Sequence, residues 1–275
     1  MATDLTWGTR YLMTEPRHFT VCYHINPWMT PTVDGEAAAA QWKGLVATLE
    51  RAGATIEVCP DEPGLPDMAF TMNAGFVAGG IAVPSRFRHP ERQPEEPHWR
   101  QRFTALGLEV VELPAPPEVR FEAGDAFLVG DALMGGYGFR SDRAGLEALG
   151  DLLGHPVVAA RLVDERFYHT DTCFCPLGEG RALVFPDAFD PDDLRRLLER
   201  LPETVLLREE EALTFVANSV VVGGTFFTAS CPGRVRDALE GFGLEVEEVE
   251  MGEFHKSGGS VRCLTLPLDV PGRLP

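Results

Sequence analysis

A cysteine, a histidine and an aspartate are the residues of this chain best suited to covalent catalysis. Cys263 stands near the C-terminal end in the segment KSGGSVRCLTL, whose glycines permit backbone shapes that other residues avoid. Lys256 and Arg262 are close in sequence, and positive charge favours the thiolate, which is the nucleophilic form of cysteine. The pattern predicts a nucleophile at the end of a glycine-rich loop. The alternative is that Cys263 is only the first buried residue of a terminal strand.

His169 is the histidine best placed to serve as the base. The segment RFYHTDTCFC, residues 166–175, is rich in apolar and β-branched residues and predicts a strand. Alternation along a strand would turn His169 and Asp171 to the same face, so that both could serve one site. A histidine beside a carboxylate can accept and return protons for a cysteine nucleophile. The alternatives are a hydrogen-bonded core histidine here, or His255 as the base.

Composition and charge favour a cytoplasmic protein with a small cationic ligand. The chain has 275 residues, 44% of them hydrophobic, which suffices for one large domain or two smaller ones. Its formal net charge of -18 makes nucleic acid and anionic membranes poor partners. No apolar run approaches the roughly 18 residues of a membrane span, and the start lacks the pattern of a signal peptide.

The cysteines show neither a disulfide framework nor a metal site. The six cysteines are scattered, so we expect free thiols. Cys173 and Cys175 lack a second pair of ligands, and we interpret them as core side chains rather than zinc ligands. The sequence also has no glycine-rich phosphate loop. We therefore expect neither a metal nor an organic cofactor.

A unit of two strands, an amphipathic helix, a turn and a further strand recurs along the chain. Residues 49–58, 103–111 and 239–246 each close a helix with glycine and begin a strand, and looser copies cover 143–162 and 190–207. Five units of roughly 40 to 55 residues indicate a repeat or propeller, in which each unit packs on its neighbours. We expect the terminal strand, 261–268, to close a ring by pairing with residues 18–25, which would place Cys263 near the axis.

These features resemble the guanidine-modifying superfamily of arginine deiminases, dimethylarginine dimethylaminohydrolases and amidinotransferases. Within it, the chain is most similar to the catalytic domain of arginine dihydrolases. The resemblance covers the whole chain and implies an α/β fold, a five-unit pseudo-symmetric α/β propeller (pentein) of ββαβ-type units. It also implies that residues 1–275 form a single guanidine-modifying catalytic domain. The motifs that carry it are INPWM (25–29), FTMNAG (70–75), SRFRHPER (85–92), FEAGD (121–125), GYGFR (136–140), FYHTDT (167–172) and the tail around Cys263.

The resemblance implies roles for the candidate catalytic residues. Cys263 would attack the guanidinium carbon, and His169 would protonate the departing amine and then deprotonate the water that releases the covalent adduct. Carboxylates would hold the cation, with Asp171 as the first candidate and Glu122 as the second. Glu122 matches the family's Glu-x-Gly-Asp pattern, in which Asp125 would support the loop. Each acid could instead be a helix cap or a surface charge.

Asn73 distinguishes members of the superfamily from one another. Deiminases that stop at citrulline resemble this chain here but carry an aspartate in its place. A carboxylate presents only acceptors to the ureido oxygen, whereas an asparagine can also donate. Asn73 could thus hold the guanidinium first and the ureido group afterwards, so that a second attack yields ornithine. The alternative is a structural asparagine in a turn.

The α-amino-acid end of the substrate would need a cationic clamp and a polar shell. Arg88 and Arg140 lie in motifs that resemble the family's clamp, with Arg86 as an alternative, and each could instead form a surface ion pair. Asn26, Gly258 and Ser257 could complete the shell by resemblance. The expected partner is a guanidino amino acid, arginine or a methylated arginine, and an oligomer is compatible with the sequence.

Three functions remain open at this point. The first is arginine dihydrolysis to ornithine, carbon dioxide and two ammonia. The second is a single hydrolytic step on arginine or on a methylated arginine, as in arginine deiminase and dimethylarginine dimethylaminohydrolase. The third is a binding module for a cationic amino acid without turnover, against which the joint presence of Cys263 and His169 argues.

Overall fold

The computed structural model describes residues 7–272. Its strands are β1 Arg10–Glu15, β2 Thr55–Pro60, β3 Gly75–Ala78, β4 Ile81–Pro84, β5 Glu109–Val110, β6 Ala126–Val129, β7 Ala132–Tyr137, β8 Val157–Arg161, β9 Phe174–Gly178, β10 Arg181–Val184, β11 Glu203–Leu206, β12 Val220–Val222, β13 Thr225–Thr228, β14 Glu245–Glu248 and β15 Leu266–Pro267. Its α-helices are α1 Gly35–Arg51, α2 Glu96–Ala105, α3 Arg143–Leu153, α4 Pro191–Leu198, α5 Glu209–Ala212, α6 Gly233–Gly241, α7 Gly252–His255 and α8 Val261–Leu264.

Within residues 7–272, the strands form five sheets of three strands each. In four of them an antiparallel hairpin is followed by a helical crossover to a parallel third strand, as in β6, β7, α3 and β8. Parallel pairing requires such a crossover, which is why a helix separates the second and third strands of every unit. The predicted five-unit α/β propeller is confirmed.

The fifth sheet joins the two ends of the chain, as predicted, but at a different position. Strand β15 pairs antiparallel with β1, with Leu266 opposite Leu12, and β1 pairs parallel with β2. The predicted partner segment, 18–25, lies instead in the long connection between β1 and α1. The predicted strand at 261–268 is also shorter, because residues 261–264 form the helical turn α8, in which Thr265 Oγ1 donates to the Val261 carbonyl at 3.1 Å.

The predicted strand at 166–175 is wrong. Two short 3₁₀ turns, Glu165–Phe167 and Thr170–Thr172, occupy this segment, and β9 begins only at Phe174. Side-chain acceptors hold the turns: Asp164 accepts from the Arg166 amide, and Asp125 accepts from the Thr170 amide at 2.9 Å. These partners replace the ladder bonds of a strand, so His169 and Asp171 reach the same site through the turn rather than through alternation.

Local signals explain where the helices begin and end. Helix α1 begins after Asp34, whose side chain accepts from the amides of Glu36 and Ala37. Helix α3 ends at Gly154, which adopts the left-handed conformation with φ of 68°. The helices pack against strands of the sheets, and Trp42, Trp99 and Phe103 are among their buried side chains. None of the helices within residues 7–272 is long and apolar enough to cross a membrane.

Candidate active site

Several predicted site residues meet beside Gly124, in the short turn that precedes β6. A Cβ atom added at this glycine would lie 2.7 Å from Asn73 Oδ1, 3.1 Å from Asp171 Oδ2 and 3.2 Å from His169 Nδ1. The first distance is shorter than real Cβ contacts and the other two are tighter than most of them, so the absent side chain is what allows the three polar groups to converge. Asn73, Gly124 and Asp171 lie in short turns just before β3, β6 and β9, and thus belong to three successive units.

Cys263 lies in α8 and is only 2% exposed. Its Sγ accepts a hydrogen bond from Asn218 Nδ2 at 3.1 Å and lies 3.7 Å from Asp171 Oδ2. Burial raises the pKa of this thiol well above its ordinary value of 9.0, and the Asp171 carboxylate raises it further, whereas Asn218 and Arg262 lower it. The thiol is therefore neutral near pH 7, and a cation placed beside it would favour the thiolate.

The two cations near Cys263 in sequence differ in position. Arg262 is buried, and its guanidinium packs on the rings of Trp7 and Phe127. Lys256 Nζ instead bonds to Glu253 at 2.7 Å. Of the two predicted sources of positive charge, only Arg262 thus acts on the cysteine.

His169 is held by Glu122. Its Nε2 lies 2.9 Å from Glu122 Oε2, and both side chains are buried. Because a carboxylate only accepts hydrogen bonds, the geometry assigns the ring proton to Nε2 and leaves the lone pair on Nδ1. This Nδ1 has no hydrogen-bond partner among the described residues and lies on the side where Asn73 and Asp171 converge. It is the atom available to exchange protons with a substrate.

Glu122 is surrounded by donors. Its Oε1 accepts from the Arg88 amide at 3.0 Å, and its Oε2 accepts from Arg140 Nη1 at 3.3 Å as well as from His169. Burial alone would raise the pKa of Glu122, but Arg140 and the hydrogen bond from His169 outweigh it and hold the pKa well below its usual range. The carboxylate is therefore ionised, and its oxygens are directed at His169 and Arg140.

Asp171 is the acid closest to the cysteine. Burial raises its pKa from 3.8 to about 6, while His169 and Arg262 act in the opposite direction. Its Oδ1 is buried without a hydrogen-bond partner among residues 7–272. A buried oxygen without a donor is unfavourable, and this one is suited to accept a hydrogen bond from a ligand.

Asn73 presents its side-chain amide beside Gly124, where Asp171 also lies. Its Oδ1 accepts from the Gly124 amide at 3.1 Å, whereas its NH2 group makes no hydrogen bond to the described residues. Asp125, in contrast, is fully used in holding the neighbouring turns. Its two oxygens accept from the amides of Thr170 and Ser141.

The two predicted clamp arginines lie on one wall of a cavity of about 440 Å³. Arg140 is buried, stacks 4.5 Å from the Tyr168 ring centroid and donates to the Ile25 carbonyl at 2.8 Å. Arg88 is more exposed and pairs with Asp142 at 2.5 Å. Arg86 faces elsewhere, because its guanidinium bonds the carbonyls of residues 113, 115 and 116.

The predicted polar shell is assembled around a sharp turn at Gly258, where φ is 86°. Asn26 Nδ2 donates to the Ser257 carbonyl at 3.0 Å, and Tyr168 Oη donates to the Gly258 carbonyl at 2.9 Å. The Ser257 hydroxyl is buried without a partner among the described residues. Asn26 also lines the cavity of the clamp arginines.

Two residues near the site were missed by the sequence analysis. Asp67 is buried close to Arg140 and Ser257, and its Oδ1 is unpartnered within residues 7–272. Asn218 contacts the cysteine directly. The repeat held a signal for Asn218, because it stands just before β12 as Asn73 stands just before β3.

No group of three or more histidine, cysteine or acidic side chains within residues 7–272 could hold a metal ion. The site itself brings together a buried cysteine, a histidine whose Nδ1 has no partner among the described residues, and an acid and an amide that can hold a planar cation.

Residues 30–270 match the family described as N,N dimethylarginine dimethylhydrolase, eukaryotic. The chain belongs to this family. The bifunctional arginine dihydrolase/ornithine cyclodeaminase AgrE of Nostoc sp. is 40% identical over 277 residues, which cover 98% of this chain and 39% of AgrE. The N(G),N(G)-dimethylarginine dimethylaminohydrolase of Mycobacterium tuberculosis is 36% identical over 261 residues, 94% of this chain and 85% of that protein.

The solved structures include the N-terminal domain of ArgZ covalently bound to a reaction intermediate. It superposes with a TM-score of 0.92 at 40% sequence identity, and the match covers 97% of this chain and 99% of that domain. The chain spans only about two fifths of the length of the full AgrE and ArgZ proteins.

Proposed function

We propose that residues 1–275 form one catalytic domain that hydrolyses the guanidinium group of L-arginine twice, giving ornithine, carbon dioxide and two ammonia. The observation that carries the second hydrolysis is the state of Asn73. The Oδ1 atom of Asn73 accepts a hydrogen bond from the Gly124 amide, at the point where Asp171 and His169 also converge. The NH2 group of Asn73 is therefore left as a donor for a ligand at this point. A donor at this position suits the ureido oxygen of citrulline, which a carboxylate would repel.

Arginine fits the charges of the site. The guanidinium of arginine would lie against Asp171, whose unpartnered Oδ1 would accept a hydrogen bond from a guanidinium N–H group. Its carboxylate would reach the cavity lined by Arg88 and Arg140, and the buried carboxyl group of Asp67, with its unpartnered Oδ1, would accept from the α-amino group. The bound cation lowers the pKa of both Cys263 and Asp171, so the substrate itself favours the thiolate that attacks it.

The first hydrolysis begins when Cys263 Sγ bonds to the guanidinium carbon. His169 Nδ1 takes up the thiol proton of Cys263 as the sulfur attacks, and then passes this proton to one terminal nitrogen; the C–N bond breaks and ammonia leaves, which gives an S-alkylisothiourea on the cysteine. Glu122 stabilises the imidazolium whenever it forms, through the bond to Nε2. A water molecule then gives a proton to His169 and its oxygen to the carbon, and the C–S bond breaks to release citrulline.

The second hydrolysis repeats these steps on the ureido group. Asn73 holds the ureido oxygen, Cys263 attacks the carbon and the second ammonia leaves. Water releases the carbamate of ornithine, which loses carbon dioxide. One arginine and two waters thus give one ornithine, one carbon dioxide and two ammonia, and the cysteine and histidine return to their first state.

The test is a product count for the wild type and for Asn73→Asp. We expect the wild type to release two ammonia and one ornithine per arginine, and to convert added citrulline. Asn73→Asp should release one ammonia and citrulline, because the acceptor mismatch costs about 1 to 3 kcal/mol, or roughly 5 to 150-fold, at the second hydrolysis. Cys263→Ser is the inactive control. Citrulline as the only wild-type product would refute the double hydrolysis and favour a deiminase.

A second candidate is hydrolysis of dimethylarginine, which the matching family and the Mycobacterium tuberculosis relative favour. The leaving group would then be dimethylamine, and the covalent chemistry of Cys263 and His169 would be unchanged. The same assay with asymmetric dimethylarginine separates the candidates. Release of dimethylamine without any turnover of arginine would establish the second function.

A further inference from the structure

Asn218 makes four side-chain hydrogen bonds that join two units of the ring. Its Oδ1 accepts from the amides of Ser260 and Cys263 at 3.0 and 3.1 Å, and its Nδ2 donates to the Asp171 carbonyl at 2.9 Å and to Cys263 Sγ at 3.1 Å. The amide of an asparagine offers two donors and two acceptor sites, so all of its capacity is used. The residue is fully buried.

The hydrogen-bond network fixes the orientation of this amide. Both contacts of Oδ1 are backbone N–H groups, which only donate, so an amide rotated by 180° would place donor against donor. The nitrogen must therefore face the Asp171 carbonyl and the sulfur. The Asn218 carbonyl also accepts from the Arg262 amide at 3.1 Å, which adds a fourth hydrogen bond to the chain segment that carries the cysteine.

The backbone before Asn218 is held in an unusual shape. Phe215 has a φ of 62°, a left-handed conformation that aromatic residues seldom adopt. Its ring packs on Trp28 and His255, with centroids 4.6 Å away in both cases. Backbone strain of this kind persists only where the surroundings impose it, and here it sets the direction of the turn that presents Asn218.

We propose that Asn218 positions and activates Cys263, by donating a hydrogen bond to its sulfur while it fixes the sulfur beside Asp171. This rests on the proposed role of Cys263 as the nucleophile. A hydrogen bond to a charged acceptor is stronger than one to a neutral acceptor, so the Asn218 amide stabilises the thiolate more than the thiol. Among residues 7–272 it is the side-chain donor within hydrogen-bonding distance of Sγ, and it opposes the effects of burial and of Asp171.

The test measures the thiol without arginine, so that its result is independent of the proposed reaction. Alkylation of Cys263 by iodoacetamide is followed from pH 7 to 11 by the mass of the peptide that contains it, and the rates at one fixed pH below the midpoint are compared between variants. Two variants remove the donor: Asn218→Ser, which is neutral and too short to reach the sulfur, and Asn218→Asp, which keeps the acceptor for the two amides. Ser219→Ala is the matched control, because its buried hydroxyl bonds only to the Val216 carbonyl at 2.9 Å.

Both Asn218 variants should shift the midpoint of alkylation upward by about one pH unit, and Asn218→Asp by more because it adds a negative charge. At a fixed pH below the midpoint the rate should fall only about threefold, because a thiolate of higher pKa is intrinsically more nucleophilic. Ser219→Ala should keep the wild-type profile. Thermal unfolding of each variant confirms that folded protein is compared.

Three results would overturn the inference. The first is a wild-type profile in both folded Asn218 variants. The second is a shift in Asn218→Asp alone, which would show the effect of charge rather than of the lost donor. The third is an equal shift in Ser219→Ala, which would attribute the change to packing of the turn. Should Asn218→Ser not fold, a wild-type profile in Asn218→Asp still refutes the proposal.

Discussion

The buried carboxyl of Asp171 should make the protein less stable as the pH rises, and Asp171→Asn should remove this effect. The pKa of this group is raised from 3.8 to about 6, chiefly by burial. The folded protein therefore binds the proton more tightly than the unfolded chain does. The stability contributed by the protonated form is fully present below about pH 3.8 and is lost as the pH rises through about 6.

The size of the effect follows from the two pKa values. Since one pKa unit corresponds to about 1.4 kcal/mol, the ionised Asp171 costs roughly 3 kcal/mol of unfolding free energy at pH 8 and roughly 0.5 kcal/mol at pH 4. Asparagine resembles the protonated acid in shape and carries no charge. Asp171→Asn should thus be more stable than the wild type by up to roughly 3 kcal/mol at pH 8, and nearly equal to it at pH 4.

Urea unfolding of both proteins at pH 4 and pH 8 measures this difference. Asp131→Asn is the control, because the Asp131 side chain is 78% exposed and its loss should change stability little at either pH. The variant Asp171→Asn should also bind arginine weakly, since the site loses its anion. The wild type and Asp171→Asn could instead be equally stable at pH 8, or differ by the same amount at both pH values. Either result would refute the argument that ionisation of Asp171 lowers the free energy of unfolding.

Three further results are expected. Cys263→Ser should abolish turnover without unfolding the protein, because a hydroxyl is far less ionised than a thiol. Mass spectrometry of the wild type should detect an arginine-derived adduct on Cys263. Comparable activity of the serine variant would exclude the covalent route. His169→Gln should lower kcat at least ~10²-fold while His155→Ala keeps it, and an active His169 variant would require another base. Gly124→Ala should reduce kcat at least ~10-fold, because the added methyl group would displace the side chains that converge there. Gly35→Ala is the control and should keep the wild-type kcat, because Gly35 has open space around it. Equal kcat values for the two variants would mean that the side chains around Gly124 make room for the methyl group without loss of catalysis.

The repeat was predictable from the sequence because its signals are local. Glycine or proline after an apolar periodic segment ends a helix through the backbone of that segment alone, and the helices α1, α2, α3, α4 and α6 are each followed by the expected strand. Ring closure was predictable for a related reason, since a terminal strand without a following helix needs an edge to pair with. The edge itself was misplaced, because the sequence does not show that residues 16–34 leave the sheet.

The failure at residues 166–175 has a non-local cause. The composition of this segment favours a strand, but the Thr170 amide bonds to Asp125, which lies 45 residues earlier in the chain. Asn218 was missed for the same reason, since its partners Asp171 and Cys263 belong to the units on either side of it. A residue whose side-chain partners all lie in neighbouring units has no local pattern beyond its place in the repeat.

The distribution of charge explains why this site would select a cation. Glu122 is ionised because it already has Arg140 and His169 as partners, so it has little left to offer a ligand. Asp171 and Cys263 differ from Glu122, since burial raises the pKa of both. The groups around them do not supply enough positive charge or hydrogen-bond donors to offset the burial of their ionised forms. A planar cation that lies between them would stabilise both anions at once, whereas a neutral ligand of the same shape would stabilise neither. The proposed double hydrolysis would therefore depend on Asn73, because the charge that would draw arginine into the site is gone once citrulline has formed.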